Sequence, residues 1–244
     1  MGNSIHDKTA KLNFQLERMI PERISWFSKR LFQEHVARYQ FVSSIVKGKI
    51  VADIACGVGY GCVEMANFGA KKVIGIDSSV EAIRYANNFY RHSKVDYMLT
   101  DASNTRLSSK SIDVVTSFET IEHLTKPRCF ITEIKRILKP GGVLIVSTPN
   151  KTMSIEDNPF HVKEYDLNEY KELLSGFESI RFYGQRPSSY SFTSFIKKIR
   201  GVIPERLHFV LHFRPWEKLS LSPLRSFKDT NYLYYIAICR IGDL

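Results

Sequence analysis

Three glycines recur at alternate positions in Asp53-Ile54-Ala55-Cys56-Gly57-Val58-Gly59-Tyr60-Gly61, directly after the apolar run from Lys49 to Ala55. Glycine lets a backbone approach a ligand closely and adopt φ values closed to other residues. A turn of this kind at the start of a helix also aims amides at the ligand. Two carboxylates follow at corresponding places: Asp77 ends the next apolar run, and Asp101 with Ala102 follows the one after that. A carboxylate at the first place can accept from two ribose hydroxyls, and a carboxylate beside a backbone amide at the second can read an adenine edge. A nicotinamide dinucleotide fingerprint needs Gly or Ala at position 62, where this chain has Cys62, and that disfavours such a ligand. Histidine adds proton transfer near neutral pH. His161 is the favoured general base and His123, in Glu122-His123-Leu124, is the second candidate.

These residues need a scaffold that brings strand ends together. Lys49 to Ala55, Lys72 to Ile76, Val95 to Leu99, Ile112 to Phe118 and Gly142 to Ser147 read as strands. Cys62 to Asn67, Ser79 to Arg91 and Phe130 to Leu138 read as the helices between them, the second capped by Ser78 or Ser79. Such alternation implies βαβ units in a parallel sheet, with ligands outside the carboxyl ends of the strands. Leu167 to Leu174 is a further helix, Ile180 to Tyr183 a strand and Tyr232 to Arg240 a closing strand, while Asp7 to Ile20 and Ser25 to Val46 are helical and separated at Pro21. The expected architecture is α/β: a Rossmann-like, doubly wound, seven-stranded, mostly parallel sheet. An N-terminal helical cap occupies 1–47, the core 48–186, a basic insertion or lid 187–228, and the closing strand of the core 229–244.

The segments D-I-A-C-G-V-G-Y-G, V-I-G-I-D, D-A, S-F-E-T-I-E-H-L and L-K-P-G-G-V-L-I-V-S-T-P-N, in that order between about Lys49 and Asn150, resemble the class I methyltransferases, specifically their type 11, UbiE/UbiG-like branch. The resemblance implies S-adenosyl-L-methionine as cofactor. It places Asp53, Gly57 and Gly59 at the methionine part, Asp77 at the ribose, Asp101 and Ala102 at the adenine, and Phe118 with Glu119 along the pocket. Ala55 and Ser78 join the same cofactor-binding set. A looser likeness, carried by Glu17 to Pro21, Glu34 to Tyr39 and Asn158 to Tyr165, links the chain to methyltransferases of bacterial surface-glycan biosynthesis. It implies that His35, Arg38 and Tyr39 fold over the cofactor, with Arg38 near its carboxylate.

From these likenesses the expected reaction is O-methylation of a sugar or glycan intermediate, small or lipid-linked. A quinone or other small aromatic acceptor is the alternative, and nucleic-acid modification or a non-catalytic cofactor-binding scaffold the readings from other classes. Charge bears on the acceptor. The chain has 35 Lys and Arg against 25 Asp and Glu, a formal +10, with the excess before Lys49 and between Arg181 and Lys228. Such a field suits anionic partners. Because 187–228 interleaves basic and apolar residues, it suits peripheral contact with an anionic membrane surface or a lid over a phosphate-bearing acceptor. Nucleic acid is disfavoured: Ser117-Phe118-Glu119-Thr120 replaces the acidic-Pro-Pro-aromatic motif of exocyclic-amine methyltransferases. Four cysteines without metal spacing and a polar start at Met1 to Ala10 suggest the cytoplasm, at most the inner face of the membrane. Glu119, Glu122 and Asn150 could in principle hold Mg²⁺, but they lack the Asp-rich arrangement such a site favours, and no metal is expected.

Overall fold

The apolar runs at 50–54, 112–118 and 143–148 form inner strands covered on both faces. The computed structural model describes residues 29–154, 158–186, 220–223 and 232–242. In chain order the elements are helices α1 (Lys29–Phe41) and α2 (Ser43–Val46), strand β1 (Ile50–Ile54), α3 (Tyr60–Asn67), β2 (Lys72–Asp77), α4 (Val80–Phe89), β3 (Val95–Leu99), and β4 (Ile112–Phe118). After a 3-10 turn at Ile121–His123 come α5 (Pro127–Ile137), β5 (Leu138–Pro149), α6 (Leu167–Leu174), β6 (Ser179–Arg186), β7 (Ser220–Pro223) and β8 (Tyr234–Arg240).

The sheet runs β3-β2-β1-β4-β5-β8-β6-β7. Strands β1 to β5 are parallel, and β8 enters antiparallel between β5 and β6. The chain moves outward from β1 to β3 and then returns to the other side of β1 with β4, so strand order reverses at the β1/β4 boundary. A crevice opens at such a switch point, beyond the carboxyl ends of the strands.

Successive residues of the strands point to opposite faces, and on the inner strands both faces are buried. Ala52 and Ile54 pack with Phe130, Ile134, Tyr170 and Leu174 under α5 and α6. Val51 and Ile145 pack with Tyr39, Val46, Cys62 and Met65 under α1 to α3.

Local chemistry sets the element ends. Ser79 caps α4 by accepting from the Ala82 amide at 3.2 Å. Asp166 and Glu169 form a reciprocal capping box at α6, a pattern that satisfies two amides the helix itself leaves unpaired.

Three expectations need correction. The sheet has eight strands: β7, inside the expected insertion, pairs antiparallel with β6 from Tyr183↔Pro223 to Arg186↔Ser220. Four residues carry too little pattern to reveal such a strand, and Pro223 suits an outer strand because it lacks a donor. The single helix from Ser25 divides instead into α1 and α2. The helix α3 begins at Tyr60, ahead of Cys62, because Gly59 at φ +90° serves as its cap. The helix expected over 7–20 and most of 187–228 lie outside the described residues. No described helix is long and apolar enough to cross a membrane.

Candidate active site

Beyond β1 the backbone takes the left-handed conformation three times, at Ala55 (φ 59°), Gly57 (56°) and Gly59 (90°). Ala55 bears a strain that glycine avoids, of about 1–2 kcal/mol. The space beside Gly57 is open, whereas a Cβ on Gly59 would sit 2.5 Å from the Tyr97 hydroxyl and one on Gly61 would overlap the Tyr39 ring. The first glycine thus leaves room for a ligand, and the other two admit the protein's own aromatics. Asp77 fastens the loop: its carboxylate accepts from the Gly57 amide at 2.9 Å and from the Ser79 amide at 2.9 Å. It is buried, while Ser78 beside it is exposed. Asp101, exposed at the end of β3, accepts from the Ser103 amide at 2.7 Å, and Ala102 is partly buried against the core.

Asp53 lies under the loop. Its carboxylate accepts from Thr116 Oγ1 at 2.7 Å, Tyr39 Oη at 3.2 Å and Cys62 Sγ at 3.4 Å. Burial pushes its carboxyl up to about 6 against the pull of those hydrogen bonds. The group therefore faces protein and ties β1 to β4, α1 and α3. Phe118 is also buried, with its ring edge-on to Tyr39 at 5.1 Å.

The helix α1 closes one side. Arg38, 1% exposed, donates from Nε to Gln185 Oε1 at 2.8 Å and places its guanidinium carbon 4.1 Å over the Tyr234 ring. Its Nη2 is 3.8 Å from Glu119 Oε1, and its Nη1 is buried with no partner among the described residues. Burial and the Arg38 charge hold the His35 imidazole well below its ordinary pKa, and its Nδ1 meets the Tyr60 hydroxyl at 2.9 Å. Glu119, at φ 52°, shares a reciprocal pair of bonds with Ser147: its amide donates to Oγ at 3.2 Å and its carboxylate accepts from Oγ at 2.8 Å. Strained non-glycine residues of this kind cluster where a site must be shaped.

On the other side His123 and His161 meet edge to face, with ring centroids 4.9 Å apart. His123 Nδ1 lies 2.9 Å from the Phe160 carbonyl. A carbonyl only accepts, so Nδ1 carries the hydrogen and, in the neutral ring, Nε2 carries the lone pair. Both nitrogens of His161 are engaged: Nδ1 with Glu164 Oε1 at 2.8 Å and Nε2 with Asn158 Nδ2 at 3.0 Å. Glu122 beneath them is fully buried; Thr148 donates to its Oε2 at 3.1 Å, and its Oε1 has no partner among the described residues. Burial, followed by the neighbouring Glu119 charge, pushes this acid well above the usual carboxylate range. Donor atoms of Glu122, His123 and His161 all lie within 4.8 Å of one another. A carboxyl and two imidazoles are ligands that a divalent cation accepts. This is a different trio from Glu119, Glu122 and Asn150. The Asn150 amide is instead turned to the Tyr232 carbonyl at 2.8 Å and to Thr152.

Open space beside Gly57 and a buried Arg38 Nη1 with no partner among the described residues suit a cofactor that carries a carboxylate. A family described as a methyltransferase domain matches residues 52–146. A protein of Mycolicibacterium smegmatis described as an S-adenosylmethionine-dependent methyltransferase is 34% identical over 188 residues, covering 73% of this chain and 70% of its own length. The chain belongs to the S-adenosylmethionine-dependent methyltransferases. S-adenosyl-L-methionine is accordingly its cofactor, and the protein is an enzyme. A ubiquinone biosynthesis O-methyltransferase of Sinorhizobium medicae is 32% identical over 149 residues, 60% of this chain and 59% of that protein. A solved S-adenosylmethionine-dependent methyltransferase of Thermotoga maritima shares the fold with a TM-score of 0.62 at 18% identity, over 87% of this chain and 93% of that one.

Several residues of this methyltransferase escaped the sequence reading. Gln185, Tyr234 and Thr116 have no motif around them, and only tertiary packing brings them in. Asn158 and Glu164 were visible inside the segment from Asn158 to Tyr165, where the recurrence of polar residues around His161 was the available signal.

Proposed function

We propose that the enzyme methylates a hydroxyl oxygen and that His123, ahead of His161, is the general base. The observation that carries this reading is the bond from His123 Nδ1 to the Phe160 carbonyl, which directs the basic lone pair to Nε2. The favoured base thus moves from His161, whose Nε2 is engaged by Asn158 and whose Nδ1 is held by Glu164. When bound, the cofactor supplies an electrophilic methyl on a sulfonium. Gly57, Asp77 and Arg38 would hold it, and the remaining work of the chain is to align the acceptor, exclude water and take up the proton. That proton passes from the hydroxyl to His123 Nε2. The adjacent His161, held by Glu164, packs edge to face against the His123 ring and limits its orientation.

The acceptor that best matches an imidazole base is a phenolic hydroxyl on a small aromatic ring. Tyrosine-like phenols ionise at about 10 and imidazole at about 6.5, a gap that a positioned base can bridge, whereas an alkyl hydroxyl is a much weaker acid. The name of the Sinorhizobium medicae relative supports the same class. A sugar hydroxyl is the second reading, favoured by the segment from Asn158 to Tyr165: the residues that resemble glycan-modifying enzymes are those that build the His161 network. In either case the basic stretch 187–228 suits an acceptor that carries phosphate or sits at an anionic surface.

Methyl transfer to a panel of dihydroxybenzenes, nucleotide sugars and lipid-linked glycans tests the acceptor. His123→Ala is expected to lower turnover on the productive acceptor by about 10²- to 10⁴-fold while sparing affinity for S-adenosylhomocysteine. His161→Ala should cost about tenfold, the lesser share expected of a group that supports the base. A larger loss in His161→Ala would return the base to that residue. Activity abolished by a chelator and restored by Zn²⁺ or Fe²⁺ would assign the Glu122, His123 and His161 cluster to a cation instead.

A further inference from the structure

Gln185 is the innermost polar residue of β6, only 1% exposed, and sits 147 positions from the arginine it serves. Its amide is used at both ends. Oε1 accepts from Arg38 Nε at 2.8 Å, and Nε2 donates to the Glu34 carbonyl, one turn earlier in α1, at 2.8 Å. An apolar side chain of the same size would fill this space equally well. The amide does something an apolar group cannot, because it fixes the rotation of the guanidinium. With Nε tied to Gln185, the guanidinium carbon over the Tyr234 ring and Nη2 facing Glu119, the fork is held in place while Nη1 stays buried and unpartnered among the described residues. A planar guanidinium recognises a carboxylate through its orientation, so whatever sets that orientation sets selectivity.

We propose that Gln185 is a positioning residue for the cofactor: it orients Arg38 so that Nη1 meets the carboxylate of the methionine portion. The proposal rests on Arg38 being the residue that reads this carboxylate. Gln185 also stands at the root of the segment 187–231, where its carbonyl accepts from the Leu233 amide at 3.0 Å. The same residue thereby joins α1, the cofactor's carboxylate end and the base of the basic insertion.

The test compares S-adenosylhomocysteine with 5′-methylthioadenosine, which keeps the nucleoside and lacks the amino-acid carboxylate, by calorimetric titration of wild type, Gln185→Met, Arg38→Met and the double variant. Gln185→Met should weaken S-adenosylhomocysteine about tenfold, as expected for a misdirected charge-assisted contact, and leave methylthioadenosine within about twofold. Arg38→Met should show the same selectivity more strongly, and the double variant should be no weaker than Arg38→Met alone. Equal weakening of both ligands by Gln185→Met would reduce Gln185 to a packing role and overturn the proposal, as would unchanged binding of both. If Arg38→Met itself fails to discriminate the ligands, it is the Arg38 reading that falls. If Arg38→Met discriminates and Gln185→Met does not, only the role of Gln185 falls.

Discussion

Around the glycine loop the polar groups are held by close neighbours in the chain: the Gly57 and Ser79 amides by Asp77, and the Cys56 amide by the Ile76 carbonyl. Around the two histidines the partners come from more distant segments, with His123 held by Phe160 and Asn150 by Tyr232. The first region is a βαβ unit whose parts fold against each other and whose carboxylates are covered. The second is a meeting of loops in which His123 is exposed and His161 only partly covered. In the proposed function the nucleoside end of the cofactor is met by a locally built cradle, whereas the acceptor is met by loops drawn from farther apart.

Substitutions can break this comparison. The largest effect is expected at the cradle: Asp77→Ala removes the carboxylate that fastens both Gly57 and Ser79, and affinity for S-adenosylhomocysteine should fall at least about 100-fold in calorimetric titration. A loss below tenfold would show that the cradle is as replaceable as the acceptor side.

A smaller effect tests whether the cradle's neighbours are rigid. Gly61→Ala forces a methyl into the Tyr39 ring, and thermal unfolding should report a destabilisation of about 1–3 kcal/mol. An unchanged midpoint would mean that α1 yields easily and belongs with the loosely held region.

The smallest effect is pH-dependent and probes the contact between the two regions. Burial keeps His35 below its ordinary pKa in the folded chain, so as pH falls through about 6.5 the unfolded chain takes up a proton that the folded chain refuses. Stability from this residue is complete above that pH and declines below it. Asp53 acts in the opposite sense: its folded pKa is raised to about 6, so its contribution improves as pH falls through that value. Unfolding of His35→Gln measured from pH 7.5 to 5.5 should therefore show a shallower acid loss than wild type. An identical slope would remove His35 from the account.

Much of this could be read without coordinates. The parallel strands, the helices between them and the loop from Asp53 to Gly61 follow from runs whose period and punctuation are local, and each appears close to its expected place. The likeness to class I methyltransferases rested on the same local segments. The short strand β7, the break between α1 and α2 and the partners of Arg38 were not legible, since each depends on what lies across space.

Sequence by itself determined the fold class, because hydrophobic period, turn glycines and strand-end carboxylates act over a few residues, and its resemblance to the class I methyltransferases implied the cofactor. Only the tertiary structure decided that Asp53 faces inward to Thr116, that Arg38 is gripped by Gln185, and that among the described residues His123 rather than His161 has a ring nitrogen left unengaged. The physical reason is that a side chain's direction, tautomer and exposure are set by the groups packed around it, and in this enzyme those groups come from far along the chain.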